Sequence, residues 1–239
     1  MPRFYCQQPF SVGQPAPLPP EVAHHIHVLR LAAGDEVTLF NGDGAEYTAQ
    51  LSEIGKKHAQ ALVTARAEPA VELAYAVQLA QGLPEGSKMD WIVEKAVELG
   101  VASIQPLAAR RSVVKLSAER AEKKLAHWQG VIEAASCQSG RTRLAALHAP
   151  ADVIPWLARP AAGQRILLSP RGTSTLAGWA RANAPQPLTL MVGPEGGFSA
   201  EEEDAAIAAG ALLLTMGARV LRTETAALAA LSILQAHWS

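Results

Sequence analysis

Two stretches of this sequence hold residue types and spacings that could do chemistry. The first is Gly193-Pro-Glu-Gly-Gly-Phe198, which follows the apolar run Leu188-Thr-Leu-Met-Val192. Glycines at 193, 196 and 197 carry no Cβ, so backbone amides and carbonyls can approach a ligand closely. Ser199 and Glu202 match a capping box that would open the next helix. The chain has neither the phosphate-cradling P-loop pattern nor a dinucleotide fingerprint, and Glu195 would repel a phosphate. A ligand with a positive centre and no phosphate, such as a sulfonium, suits the loop better. A purely structural strand-to-helix turn is the competing reading.

The second stretch is Met216-Gly-Ala-Arg-Val-Leu-Arg-Thr-Glu-Thr-Ala226. Arg219, Arg222 and Glu224 crowd the start of a helix that is otherwise nearly all apolar, and such a helix is buried in the core or against another subunit. Arginines at its mouth need a partner. Glu224 or another acidic side chain is one answer and an anionic substrate is the other; the residues alone leave both open.

Other constellations are weaker. His24, His25 and His27 lack carboxylate or cysteine company, and adjacent histidines on a helix point apart, so no metal site is expected. Glu94 and Glu98 with Lys95 between them read as a solvated face or internal ion pairs rather than an acid/base pair. Cys6 and Cys137 are too few for a disulfide framework and read as reduced and structural.

The elements that must position these residues follow from periodicity. Residues 1–70 read as short strands and turns: Glu36–Phe40 and Ala45–Leu51 flank Asn41-Gly-Asp-Gly44, and a second turn, Gly55-Lys-Lys57, leads into His58–Arg66. That spacing predicts a small barrel, with a short helix over 20–30 that carries Val22, Ile26 and Leu29 on one face. From about residue 71 strands and helices alternate, the pattern of an α/β domain with a mainly parallel sheet. Strands are expected at Ala74–Ala80, Val101–Leu107, Arg165–Leu168, Leu188–Val192 and Ala211–Met216. Helices are expected at Ser87–Leu99 with Ser87 as cap, Ser117–Cys137, Thr173–Asn183, Ser199–Ala209 and Thr223–His237. In such a sheet ligands gather beyond the carboxyl ends of the strands, where both chemical stretches fall.

Bulk properties set limits. The chain has 239 residues, 49% hydrophobic and 18% charged, enough to bury a substantial core. No apolar run approaches the roughly 20 residues that cross a bilayer, and the start has no signal pattern, so the expected address is the cytoplasm, with no membrane partner. A net charge of −1 argues against coating nucleic acid by bulk electrostatics. Residues 1–70 hold 5 basic and 7 acidic side chains, whereas residues 82–143 hold 10 basic and 7 acidic, so a polyanion site should draw on the middle segment.

Taken together, Gly193-Pro-Glu-Gly-Gly197 and Leu221-Arg-Thr-Glu-Thr-Ala226 resemble the SPOUT superfamily of knotted methyltransferases, specifically the ribosomal RNA small subunit methyltransferase E family. Pro2-Arg-Phe-Tyr5, Lys88-Met-Asp90, Glu94-Lys-Ala-Val-Glu-Leu-Gly100, Val114-Lys115 and Gln138-Ser-Gly-Arg141 extend the likeness over nearly the whole chain. It is looser at Cys137 and over Ala109-Arg-Arg-Ser112. The resemblance implies a C-terminal trefoil knot over 71–239, S-adenosylmethionine as cofactor, a homodimer, and a PUA-like RNA-binding module over 1–70. It further implies methylation of N3 of one uridine in 16S ribosomal RNA near the decoding centre, with ribosomal RNA or the small ribosomal subunit as partner. Methylation of another ribosomal or transfer RNA nucleotide, or a non-catalytic RNA-binding or ribosome-assembly role, are the alternatives.

On that footing the expected cofactor residues are Leu168, then Gly193, Gly196 and Gly197, then Met216, Gly217, Leu221 and Thr225, with main-chain contacts dominant. Arg222 is expected to stabilise the anion that forms on uracil O2 and O4. Glu224 is expected to orient the arginine or take the N3 proton, with charge complementarity to the helix N-terminus as its structural alternative. Candidates for RNA phosphates are Lys88, Arg110, Arg111, Lys115 and Arg141, with Arg3 and Arg30 from the first domain; each could instead be a surface charge.

Overall fold

The computed structural model describes every residue except Lys56, Leu116 and Ser239. Lys56, in the turn expected after Gly55, therefore lies outside the described residues. The chain divides into two compact units, residues 1–72 with 136–144, and residues 73–135 with 145–239.

The first unit contains β1 (Arg3–Tyr5), β2 (Pro15–Leu18), α1 (Pro20–Val28), β3 (Glu36–Phe40), β4 (Glu46–Ile54) and β5 (Ala59–Ala67). They form one sheet in the order β1-β3-β4-β5-β2, with β1 parallel to β3 and the other pairs antiparallel. The β3–β4 hairpin turns where its glycines were expected to permit it, with φ of 90° at Gly42 and 101° at Gly44. Inward residues of all five strands join Val22, Ala23 and Ile26 of α1 in one core cluster. Leu29, expected on that helix face, is exposed because α1 ends at Val28. The expected histidine helix is α1 itself: His25 sets its ring edge-on to Phe4, and His27 Nε2 lies 3.0 Å from Gly55 O.

The second unit contains β6 (Val77–Gly82), α2 (Lys88–Glu98), β7 (Ser103–Ala108), α3 (Ala118–Ser139, whose last four residues count with the first unit), β8 (Ala146–Leu147), β9 (Ala151–Asp152) and α4 (Val153–Leu157). It continues with β10 (Gln164–Leu168), β11 (Ser174–Thr175), α5 (Leu176–Ala182), β12 (Leu188–Val192), α6 (Ala200–Ala208), β13 (Leu212–Thr215) and α7 (Thr223–Trp238). Its sheet runs β11-β13-β10-β12-β6-β7-β8, every pair parallel, with β9 also pairing to β7. β12 is buried at all five positions, as a central parallel strand covered on both faces must be.

Helix starts differ in their chemistry. Ser199 and Glu202 form the expected capping box on α6. Ser87 stands before α2 but makes no side-chain cap bond. Asp90 is engaged elsewhere: its Oδ1 accepts from Trp128 Nε1 and its Oδ2 lies against His127 Nε2, both at 2.9 Å, which pins α2 to α3. α7 is held at its far end by Trp238, whose Nε1 donates to Ala180 O and Asn183 O, both at 2.9 Å, and whose ring packs on Tyr75 and Trp179.

Candidate active site

Parallel pairing places the carboxyl ends of β13, β10, β12, β6 and β7 along one edge of the second unit's sheet. The three segments expected to hold the cofactor follow β10, β12 and β13, which are consecutive neighbours in that order of strands. Leu168 ends β10 in register with Leu214, and Val192 ends β12 opposite Gln81.

The loop after β12 is tight by construction. A Cβ on Gly82 would stand 2.5 Å from Pro194 Cδ, and one on Gly193 would stand 2.9 Å from Gly197 Cα. Gly197 has φ of 68° and its amide donates to Pro194 O at 2.8 Å, closing the turn. Phe198 is buried and anchors the exit into α6. Arg111, on the loop after β7, donates from its guanidinium to Gly196 O at 3.1 Å, and a Cβ on Gly196 would stand 3.0 Å from the Arg111 Cβ.

The loop's acidic residue is already partnered. Glu195 Oε1 accepts from the Glu85 amide at 3.1 Å and pairs with Lys88 Nζ. Burial opposes its charge, but the Lys88 ammonium and these hydrogen bonds hold its carboxyl below the usual carboxylate range. The same contact raises the Lys88 pKa. Lys88 thus ties the first turn of α2 to the glycine loop.

Beside this tether lies a pocket of about 440 Å³ lined by Ser87, Lys88, Trp91, Arg222, Glu224 and Thr225. It unites residues of the α2 start with those of the α7 start. Arg222 is exposed and, among the described residues, its guanidinium makes no ion pair, with Glu224 or any other acid. Glu224 Oε2 is a buried oxygen with no hydrogen-bond partner among them. Met216 and Leu221 are half-buried, and Gly217 is exposed with φ of 112°.

The basic candidates separate into three groups. Arg141 is 5% exposed and its guanidinium is bound to Glu72, with Nη2 at 2.7 Å, so the structure gives it an internal partner rather than a surface role. Arg3 lies over the Phe40 ring, donates to Arg141 O at 2.9 Å and pairs with Glu46 at 2.5 Å, likewise inside the first unit. Arg110 is exposed but bidentate on Glu201, and Lys88 and Arg111 hold the glycine loop as described. Arg30 and Lys115 are exposed and form no side-chain ion pair among the described residues. Among those residues no group of three or more His, Cys, Asp or Glu could hold a metal ion.

Three contributors were not singled out from the sequence: Gln81, Gly82 and Trp91. The strand expected at 74–80 stops one residue short of Gln81, and the glutamine and glycine that close it are the signal that could have found Gln81 and Gly82.

Comparison with known proteins agrees with this geometry. Residues 71–235 match the family model described as an RNA methyltransferase domain, and residues 18–64 match an RNA methyltransferase PUA domain. A Bacillus subtilis protein named ribosomal RNA small subunit methyltransferase E is 32% identical over 219 residues, covering 89% of this chain and 86% of its own. The crystal structure of a Neisseria gonorrhoeae ribosomal RNA small subunit methyltransferase E bound to S-adenosyl methionine superposes with a TM-score of 0.92 at 36% identity, over 100% of this chain and 98% of that one. A Legionella pneumophila protein solved in complex with the bound cofactor SAM gives a TM-score of 0.92 at 37% identity, over 98% and 96%. With a glycine-lined sheet edge, an adjoining arginine pocket and relatives that match along nearly the full chain, this protein belongs to the ribosomal RNA small subunit methyltransferase E family of RNA methyltransferases.

Proposed function

We propose that this protein uses S-adenosylmethionine to methylate N3 of one uridine in 16S ribosomal RNA near the decoding centre, acting in the cytoplasm as a homodimer. The observation that carries the reading is that the β10, β12 and β13 exits share one sheet edge and that Glu195 of the β12 loop is bound to Lys88, which lines the pocket holding Arg222 and Glu224.

The residues present fit the cofactor. A Cβ on Gly82 or Gly193 would collide with the Pro194–Phe198 segment and one on Gly196 with Arg111, so the glycines let these strand ends pack closely and leave main chain, not side chains, at their own positions along the edge. Main-chain groups suit the adenine and ribose edges, and the Glu224 carboxylate in the pocket suits a cationic ligand better than a phosphate. Leu168, Gly193, Gly196, Gly197, Met216, Gly217, Leu221 and Thr225 would hold it. Bound there, S-adenosylmethionine supplies a methyl group on a sulfonium whose leaving group is a neutral thioether, so no metal is required.

The chain's own residues then have two tasks. One is alignment of uracil N3 with the methyl group, which converts an encounter into a near-unimolecular step. The other is management of the N3 proton, because uridine N3 is protonated at neutral pH. Arg222, which makes no ion pair among the described residues, can direct its guanidinium at O2 and O4 and stabilise the charge that develops there. The unpartnered Glu224 Oε2 lies within the same pocket and would accept the proton or orient the arginine. Exposed Trp91 offers an aromatic face at the pocket's rim.

RNA phosphates would be met by Lys115 and Arg30, with Lys88, Arg110 and Arg111 contributing where their present partners can be exchanged. Exposed Trp91 on α2 leaves apolar surface that suits the subunit pairing included in this reading. The insertion of β12 between β6 and β10 is compatible with a knotted C-terminal passage, which we include in the proposal. Isothermal titration with S-adenosylmethionine tests the first requirement: saturable binding is expected, and none at high micromolar ligand would refute the enzyme reading.

A further inference from the structure

The glycine loop and the start of α7 are joined inside the fold through one side chain. Gln81, the penultimate residue of β6, is 0% exposed. Its Nε2 donates to Gly82 O at 2.9 Å and to Thr223 Oγ1 at 2.8 Å, with Val192 O at 3.5 Å. Thr223, itself buried, donates from Oγ1 to Gly193 O at 2.6 Å. The hydroxyl accepts from the amide and donates to the carbonyl, so its rotation is fixed from both sides.

This arrangement is costly as packing alone. Gln81 Oε1 is buried without a hydrogen-bond partner among the described residues, and burying an unsatisfied polar atom is unfavourable. Leu79 and Ala80 beside it on β6 are fully buried and apolar, so an aliphatic side chain would suit the strand's surroundings. What the amide provides is connection. Two hydrogen bonds link the end of β6, the first residue of the glycine loop, and the first turn of α7, immediately beside Arg222 and Glu224.

We propose that Gln81 is a positioning residue which, through Thr223, sets the spacing between the main chain at Gly193 and the Arg222–Thr225 mouth of α7. The role rests on the reading of those segments as cofactor loop and reaction pocket. Buried, fully directed polar networks specify one arrangement where apolar contacts tolerate several. A small misplacement between donor and acceptor groups is enough to slow a reaction strongly.

The test compares Gln81→Leu, Thr223→Val, the double variant and Thr223→Ser in the full chain. Hydrogen exchange is read without ligand over residues 193–198 and 221–226, alongside single-turnover methyl transfer and S-adenosylmethionine affinity. Gln81→Leu and Thr223→Val should each raise exchange in both segments together and slow the single-turnover step by about ten- to a hundredfold, with cofactor affinity changed by less than about threefold. The double variant should be no worse than the more affected single one, since both break the same link. Thr223→Ser keeps the hydroxyl and should restore slow exchange and rate. Unchanged exchange in folded Gln81→Leu, exchange raised in one segment alone, or strictly additive effects would overturn the proposal. Should Gln81→Leu fail to fold, the contrast of Thr223→Val with Thr223→Ser decides the same point. Absence of methyl transfer by the natural sequence would refute the functional reading, while the exchange data would still decide the link.

Discussion

In the proposed mechanism Arg222 and Glu224 matter for the partners they lack among the described residues. An exposed guanidinium with no carboxylate on it keeps its donors for a ligand, and a pocket carboxylate with an unpartnered oxygen keeps an acceptor. Arg222→Ala is therefore expected to lower turnover by about a hundredfold while leaving cofactor affinity nearly unchanged, as removal of an oxyanion donor does. Filter-binding transfer assays and calorimetry on the same preparation check the split; unchanged turnover would contradict the role given to Arg222. Arg141 shows the opposite case. It is buried on Glu72, which also accepts from the Thr142 and Arg143 amides, so Arg141→Met should destabilise the protein by about 1–3 kcal/mol through loss of the charged hydrogen bonds to a part-buried carboxylate. Thermal melts test this, and a melting temperature equal to that of the natural sequence would contradict it. Residue types and local spacing made the glycine loop, the capping box and the arginine mouth legible in the sequence. The partners of Arg141 and Gln81 were not, because they lie 69 and 142 residues away.

At the scale of elements, the site depends on how closely strand ends approach and how α2 is fixed. Gly82→Ala would drive a methyl group against Pro194 and Gly193, and should weaken S-adenosylmethionine binding by about tenfold or more by displacing the loop. Calorimetry measures it; natural affinity in that variant would show that the loop does not hold the cofactor. Asp90 couples α2 to α3. Burial opposes its charge, yet the contacts from His127 and Trp128 hold its pKa below the usual carboxylate value. A carboxylate with a depressed folded pKa contributes stability above its ordinary pKa and loses it as pH falls through the depressed value. Acid melts of Asp90→Asn should accordingly show less loss of stability over that interval than those of the natural sequence. Equal losses would contradict the coupling. β12 and α7 were readable at nearly their observed bounds, one as a short apolar run broken only by Thr189 and the other as a long apolar helix after a polar start. β2, Pro15–Leu18, escaped because prolines argue against a strand anywhere but an edge, which is where it lies. β8, β9 and β11 are two residues each, too short for any period to register.

For the whole molecule, the strand order decides where the chemistry falls. Alternation of strands and helices announced a parallel sheet, but no local pattern could place β12 between β6 and β10, since that depends on which buried faces meet across the sheet. Membership of the family supplies the general activity, and the glycine edge with the Arg222 pocket supplies the specific proposal. The most direct measurement incubates small ribosomal subunits lacking the modification with the protein and labelled S-adenosylmethionine, then maps the product. The account predicts label on N3 of a single uridine in 16S ribosomal RNA, appearing about a hundredfold more slowly with Arg222→Ala. Label on a ribose, on another base or on transfer RNA, or no label although the cofactor binds, would contradict it.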